Sequence, residues 1–209
     1  MAESYDATAN PLVALDRRHT PRHLGARAGE AILDAGCGTG GHLRGILAAG
    51  ARPLGLDFSR GMLRVARRTM PEVPLAQADL NVALPVHPAA FDAVLCALLS
   101  EHLASLRALF RDAFAALRRG GRLVFSAFHP VLATVGAEAN FEVDGTEYRL
   151  GAERHTVDDF LNATDDAGFR DLRRYEYWID GRIVDAIPSA AKHRDRPVLL
   201  VIEACRPPS

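Results

Sequence analysis

The stretch from Ala31 to Gly40, AILDAGCGTG, leaves this chain few architectures. Ala31 to Leu33 is a short apolar run suited to a buried parallel strand. Gly36, Gly38 and Gly40 permit main-chain conformations and close approaches that a Cβ would block. A strand therefore runs into a glycine-rich turn and then a helix, and a ligand can lie on bare main chain. A second apolar run, Leu54 to Asp57, ends in an acidic side chain seventeen residues after Gly40. A carboxylate there can accept hydrogen bonds from both hydroxyls of a ribose.

Strand and helix patterns then take turns, which favours a parallel α/β sheet. Leu43, Ile46 and Leu47 share one helical face after the first strand. Ser59 caps the next helix, with Met62, Leu63 and Ala66 facing inward. Val73 to Ala78 reads as the third strand, placed at an edge by Pro74, and Ala93 to Ala97 as the fourth. Leu106, Leu109, Phe110, Ala113 and Leu117 form a helix stripe that ends at Gly120-Gly121, and Arg122 to Phe128 is the fifth strand.

Beyond Phe128 the regular alternation stops. Phe141 and Val143 on one side of Asp144-Gly145, and Tyr148 and Leu150 on the other, read as a two-stranded flap around a type I′ turn. Thr156 with Asp159 forms a capping arrangement for a helix that runs to Gly168. Leu172 to Ile179 and Val198 to Ala204 follow as the sixth and seventh strands, joined by a long connection, Asp180 to Pro197, near the rim of the site. Ahead of Ile32, Tyr5 precedes a short helix after Pro11 that includes Leu12, Leu15, Arg17 and Arg18. That segment is either a cover over the site or a surface-packed tail. Arg17, Arg18 and Arg22 are available to an acidic group or simply solvated.

Gly36, Gly38 and Gly41 also satisfy the Gly-x-Gly-x-x-Gly fingerprint that seats a pyrophosphate on a helix N-terminus. Three features weigh against that rival. Asp34 places a carboxylate where a pyrophosphate would lie, Asp79 adds a third acidic position, and Lys192, as the only lysine, excludes a Tyr-x-x-x-Lys pair. Five motifs in order point elsewhere: DAGCGTG at Asp34 to Gly40, Asp57 with Phe58 and Ser59, ADL at Ala78 to Leu80, FDAVLCALLSEHL at Phe91 to Leu103, and LRRGGRLVFSAF at Leu117 to Phe128. From about Ile32 to Phe128 the chain resembles the class I S-adenosylmethionine-dependent methyltransferases, of the type 11/12 kind. The resemblance implies an α/β, Rossmann-like doubly wound sheet of seven strands, mostly parallel with the last antiparallel, plus the hairpin flap. A length of 209 residues with 48% hydrophobic content fits one domain, divided into a cofactor-covering segment (1–30), a cofactor-binding half (31–128), the flap (129–156) and the completion of the sheet (157–209). S-adenosyl-L-methionine is the implied cofactor. Asp34 organises the turn or meets its amino-acid end, with Gly36 and Gly38 along that end. Asp57 takes the ribose, Phe58 and Leu80 flank the adenine, Asp79 reads the adenine amino group, and Leu98 completes the set.

The implied reaction is methyl transfer to an oxygen, nitrogen or carbon of a small molecule by in-line displacement. Positioning carries most of such a rate, and a general base adds to it. His129, directly after the fifth strand, and His102, after the fourth, are the candidate bases; each is equally compatible with a structural role. His155 and Glu138 are weaker candidates, and Glu101 reads as a solvated loop charge. His129, Glu138, Glu142, Glu147 and His155 crowd one stretch but match no zinc or iron spacing, so no metal is expected. Phe141, Tyr148, Tyr175, Tyr177 and Trp178 either line an aromatic pocket or belong to the core. A net charge of −1 over 209 residues disfavours a polyanionic partner. The Asn/Asp/Ser-Pro-Pro-aromatic motif of exocyclic-amine methylation is replaced by Ala97-Leu98-Leu99-Ser100. An RNA or protein methyltransferase, or a non-methylating S-adenosylmethionine-binding protein, is the alternative. With neither a spanning apolar run nor a signal-like N-terminus, and with three scattered cysteines, a cytoplasmic protein without a membrane partner is expected.

Overall fold

A computed structural model of the chain describes Tyr5, residues 9–135, 140–143, 146–149 and 153–209, with side chains for all but 133–135, 140–143 and 146–149. The elements in chain order are α1 (Pro11–Leu24), β1 (Ala31–Ala35), α2 (Gly41–Ala48), β2 (Arg52–Asp57), α3 (Arg60–Thr69), β3 (Leu75–Gln77) and β4 (Phe91–Ala97). They continue with α4 (Leu106–Ala116), β5 (Leu117–Phe128), β6 (Asn140–Val143), β7 (Thr146–Arg149), α5 (Val157–Asp166), β8 (Arg170–Trp178), α6 (Gly181–Ala186) and β9 (Pro197–Cys205).

Seven strands form one sheet in the order β3-β2-β1-β4-β5-β9-β8. The first five run parallel, and β9 lies antiparallel between β5 and β8, pairing Arg122 with Cys205 and Phe128 with Leu199. This is the expected Rossmann-like sheet with its last strand reversed. Successive residues of the central strands bury on opposite faces. Ile32, Leu95 and Val124 join Leu15 and Leu24 of α1 on one side, while Leu33, Val94 and Phe125 join Phe110 of α4 and Phe160 of α5 on the other. Continuous apolar runs are what a parallel sheet covered on both faces requires.

Helix starts follow the caps seen in the sequence. Ser59 Oγ accepts the Met62 N–H, and Thr156 with Asp159 forms a reciprocal capping box. Asn10 caps α1 through the N–H groups of Leu12 and Val13, with Pro11 at the first helical position.

Most elements lie within two residues of the expected bounds, and the following departures bear on the site or the sheet. β1 extends two residues past Leu33, which puts Asp34 inside the strand. The third strand shrinks to Leu75–Gln77 because Pro74 has no N–H to give and only offers its carbonyl to Gly55. It does lie at the sheet edge. Leu117 is a strand residue, not the end of a helix: its backbone is extended, and it pairs with Phe91. Gly120 and Gly121 serve instead as a bulge between the Phe91–Leu117 and Ala93–Arg122 pairs, where Gly120 has φ +76° and a Cβ on Gly121 would meet Arg118 O at 2.9 Å. Finally, the connection after β8 is helical. It contains α6 and a 3₁₀ turn, Pro188–His193, whose Ile183 and Ala190 are buried with Leu15.

The flap strands β6 and β7 pair as an antiparallel hairpin with Phe141 opposite Tyr148. The turn residues Asp144 and Gly145, together with Leu150 and Glu138, lie outside the described residues.

Candidate functional site

The C-terminal ends of β1, β2 and β4 meet at one edge of the sheet, the place where open α/β sheets bind ligands. The glycine loop leaves β1 there. Gly36 and Cys37 both donate their N–H groups to Leu56 O, at 2.8 Å each, which fixes the loop to β2. Gly36, Gly38 and Gly40 have φ of +87°, +55° and +88°, so the turn is left-handed at each, and α2 begins directly behind it.

Asp57 ends β2 with both oxygens engaged. Oδ2 accepts the Gly38 N–H at 2.8 Å and Oδ1 accepts the Ser59 N–H at 2.7 Å. One carboxylate thus ties the loop to the start of α3, and each oxygen keeps a lone pair for a hydroxyl donor. Phe58, beside it, is 67% exposed, an unusual cost for an aromatic side chain. Asp79 lies two residues past β3, exposed, and accepts the Asn81 N–H at 3.0 Å. Asn81 in turn links Ala104 N–H and His102 O, bringing the Asp79 turn against the segment after β4. Leu80 is half-buried against the core, and Leu98 adopts φ +51°, a left-handed conformation rare for leucine, immediately after β4.

Asp34 stands apart. It is 1% exposed, and among the described residues neither carboxylate oxygen has a hydrogen-bond partner. Burial above all, with the neighbouring charges of Asp16 and Asp57, pushes its carboxyl up to about 7, against the opposing pull of His42. An ionisable group left bare inside a fold is rare and marks a functional-site candidate.

Next to it lies a network that short-range patterning does not reveal. Asp16 of α1 is buried and accepts three hydrogen bonds of 2.6 Å each, from Thr20 Oγ1, Ser126 Oγ and His42 Nε2. His42 lies in the first turn of α2 and Ser126 near the end of β5, so one carboxylate joins three elements. Burial acts to raise the Asp16 carboxyl, but its bonds to His42, Ser126 and Thr20 outweigh that and hold it low. Burial likewise acts to lower His42, and Asp16 and Asp34 together outweigh it and raise the imidazole, with Arg17 opposing. Pair separations of 26 and 110 residues hide this cluster from any motif.

The expected bases part company. His102 is exposed in a 3₁₀ turn, Ser100–His102, near Asn81. His129 is buried; its Nδ1 accepts the Val131 N–H at 3.2 Å, which leaves the proton on Nε2. Nε2 lies 3.5 Å from Glu176 Oε1 without hydrogen-bond geometry. His155 faces Leu103 O and the edge of Phe160. No group of three potential metal ligands occurs among the described residues. Of the aromatic side chains, Tyr175 and Tyr177 are taken up by α1. His19 stacks on Tyr177 at 3.9 Å, and His23 bridges Glu203 and Tyr177 OH at 2.5 Å each. Trp178 is 48% exposed. Arg18 pairs with Asp180 at 2.6 Å, and Leu15 and Leu24 are buried in the core, so α1 is not a frayed tail.

A family model described as a methyltransferase domain matches residues 33–125. The chain is 35% identical over 136 residues to a demethylmenaquinone methyltransferase of Tropheryma whipplei, covering 62% of this chain and 57% of that protein. It is 34% identical over 166 residues to a malonyl-[acyl-carrier protein] O-methyltransferase of Serratia marcescens, covering 78% and 60%. The chain spans less than two thirds of the length of these curated relatives. Among solved structures, an S-adenosylmethionine-dependent methyltransferase of Mesorhizobium loti superposes with a TM-score of 0.78 at 27% identity, covering 94% of this chain and all of that one.

Proposed function

The chain belongs to the class I S-adenosylmethionine-dependent methyltransferase family, and from that membership we propose that it binds S-adenosyl-L-methionine and methylates a small molecule. The observation that carries this reading is the bare carboxylate of Asp34 beside a glycine loop braced by Asp57. These residues suit the cofactor's three parts. The buried negative group at Asp34 accepts an ammonium on the amino-acid end, along Gly36 and Gly38. Asp57 offers its remaining lone pairs to the ribose hydroxyls. Phe58 and Leu80 cover the faces of the adenine, with Asp79 beside its amino group and Leu98 at the edge. The bound cofactor supplies an electrophilic methyl group on sulfur.

What the chain itself does is orient and exclude water. The loop is fixed by two N–H donations to Leu56 O, so little motion is needed at the moment of reaction. Helix α1 is assigned as the cover of the site, with Leu15 and Asp16 on its inner side. Where the acceptor must lose a proton, His102 at the open edge takes it; His129, whose Nδ1 already accepts the Val131 N–H and whose Nε2 carries the proton, has no lone pair free for that role and is assigned to packing after β5. The hairpin strands β6 and β7, which follow β5 in the chain, are assigned to acceptor recognition.

The relatives named for quinone and acyl-carrier substrates support a small-molecule acceptor here. No helix among the described residues is long and apolar enough to cross a membrane, and we read the chain as cytoplasmic. The test is methyl-label transfer from S-adenosylmethionine into an extract of the native cells, split into small-molecule, RNA and protein fractions. Label in the small-molecule fraction is expected. Label confined to RNA or protein overturns the acceptor class, and tight cofactor binding with no label anywhere favours a non-methylating role.

A further inference from the structure

The loop that follows β4 is gripped by one side chain from the turn after β3. Asn81 Oδ1 accepts the Ala104 N–H at 2.8 Å, and Asn81 Nδ2 donates to His102 O at 2.9 Å. The segment before α5 holds the same loop: the Glu153 N–H donates to Glu101 O at 3.1 Å, and His155 Nε2 donates to Leu103 O at 3.3 Å. Between these points Leu103 is buried in the core, so the loop is pinned inward as well as along its flanks.

Asn81 acts here as the backbone of a neighbouring strand would. A carboxamide carries a donor and an acceptor side by side, and this one meets the carbonyl of one residue and the N–H of the residue two further on. Only one orientation of the amide satisfies both points; the flipped one would set N–H against N–H and oxygen against oxygen. The main chain of Asn81 belongs to the Asp79 turn, where Asp79 Oδ1 accepts the Asn81 N–H at 3.0 Å and Asp79 O accepts those of Val82 and Ala83. One residue therefore joins the turn assigned to the adenine to the loop that carries His102.

Stability does not call for this clamp. Asn81, His102 and Ala104 are exposed, and water would satisfy His102 O and the Ala104 N–H at little net cost. What water does not supply is a fixed place for the imidazole. A misplacement of about 1 Å at a reacting group costs on the order of 100-fold in rate.

We propose that Asn81 is a positioning residue for methyl transfer, whose carboxamide clamps the backbone at His102 and Ala104 to the Asp79 turn and so sets the His102 imidazole against the bound cofactor. This rests on the readings that Asp79 meets the adenine and that His102 takes the acceptor's proton.

Two measurements on the full chain test it. Hydrogen exchange reads the clamp without turnover: the Ala104 amide should be protected in the wild type and exchange about tenfold faster in Asn81→Ala. An unprotected Ala104 amide in the wild type would overturn the proposal, a result that needs no variant to fold. The second is methyl-label transfer from saturating S-adenosylmethionine into the small-molecule fraction of native-cell extract, held at one dilution. In Asn81→Ala the rate should fall about tenfold. The KM for S-adenosylmethionine and the calorimetric affinity for S-adenosylhomocysteine should stay within about twofold, because the Asp79 turn keeps its own backbone bonds. Added to His102→Ala, the same substitution should cost less than about twofold, since an absent imidazole has no place to lose. Equal losses in the two backgrounds would mean that Asn81 supports the fold and not His102, and would overturn the proposal. Failure of the underlying readings has its own signatures. A wild type that binds no S-adenosylhomocysteine, or transfers no label, removes the cofactor or acceptor assignment, and wild-type turnover by His102→Ala removes the base; each takes this proposal with it.

Discussion

Asp57 holds the main chain of Gly38, its Oδ2 accepting the Gly38 N–H at 2.8 Å. The same carboxylate caps Ser59, so it braces the glycine loop before any ligand arrives. Asp57→Ala leaves two N–H donors without acceptors and removes the assigned ribose contact. Cofactor affinity should fall by roughly 1.5 to 3 kcal/mol, and thermal stability should fall with it. Titration calorimetry with S-adenosylhomocysteine, paired with a melting curve, checks both; unchanged affinity would refute the assignment.

Asp34 carries a stability cost with a definite pH dependence. Its carboxyl ionises at about 7 in the fold against 3.8 when unperturbed. Between those values the folded state binds the extra proton, so stability falls as pH rises, and the cost is complete above about pH 7. At about 1.36 kcal/mol per pH unit the upper bound is roughly 4 kcal/mol. Asp34→Asn should therefore melt higher than wild type at pH 8, with a much smaller difference at pH 4. It should also lose cofactor binding. The wild type's affinity for a cationic ligand should weaken below about pH 7, as Asp34 takes up its proton. A variant less stable than wild type at pH 8 would contradict the uncompensated burial of this carboxylate.

The two histidines separate cleanly by burial. His102 is exposed, so His102→Ala should change stability by less than about 0.5 kcal/mol, and any loss of methyl transfer then reports on chemistry. His129→Ala strips an acceptor from the Val131 N–H and leaves space beside Glu176. It should cost about 1 to 3 kcal/mol in urea unfolding whether or not it slows turnover. A neutral His129→Ala would mean that the buried imidazole is not integral to the packing after β5.

Gly55 sits mid-strand in β2, under the loop. A Cβ there would lie 2.7 Å from Leu75 Cδ2 and 2.9 Å from both Cys37 Sγ and Leu43 Cδ1. Gly55→Ala should destabilise by about 1 to 3 kcal/mol through overpacking, and should weaken cofactor binding because Cys37 belongs to the loop. Urea titration measures the first effect and calorimetry the second.

The sheet was readable because its strands are buried on both faces, so Ile32-Leu33 and Val94-Leu95 stand out as uninterrupted apolar pairs. Ser59 and Thr156 marked helix starts by local chemistry. Leu117 misled because an apolar residue at helical spacing from Ala113 is equally good strand, and only its pairing with Phe91 decides. The Asp16 cluster was hidden for a different reason. Its members are ordinary residues on separate elements, and their meaning comes from burial and proximity that no local pattern carries. Tyr175 and Tyr177 stayed open between pocket and core for the same reason, and their packing against the core and against His19 and His23 of α1 decides for the core.

The most direct measurement is isothermal titration calorimetry of the wild-type chain with S-adenosylhomocysteine and, separately, with NADH. The expected result is one saturable site for S-adenosylhomocysteine that Asp57→Ala weakens, with no heat from NADH beyond dilution. Binding of NADH with none of S-adenosylhomocysteine would contradict the assignment of Asp34, Asp57 and the glycine loop to a methyl-donor cofactor and return the site to a dinucleotide.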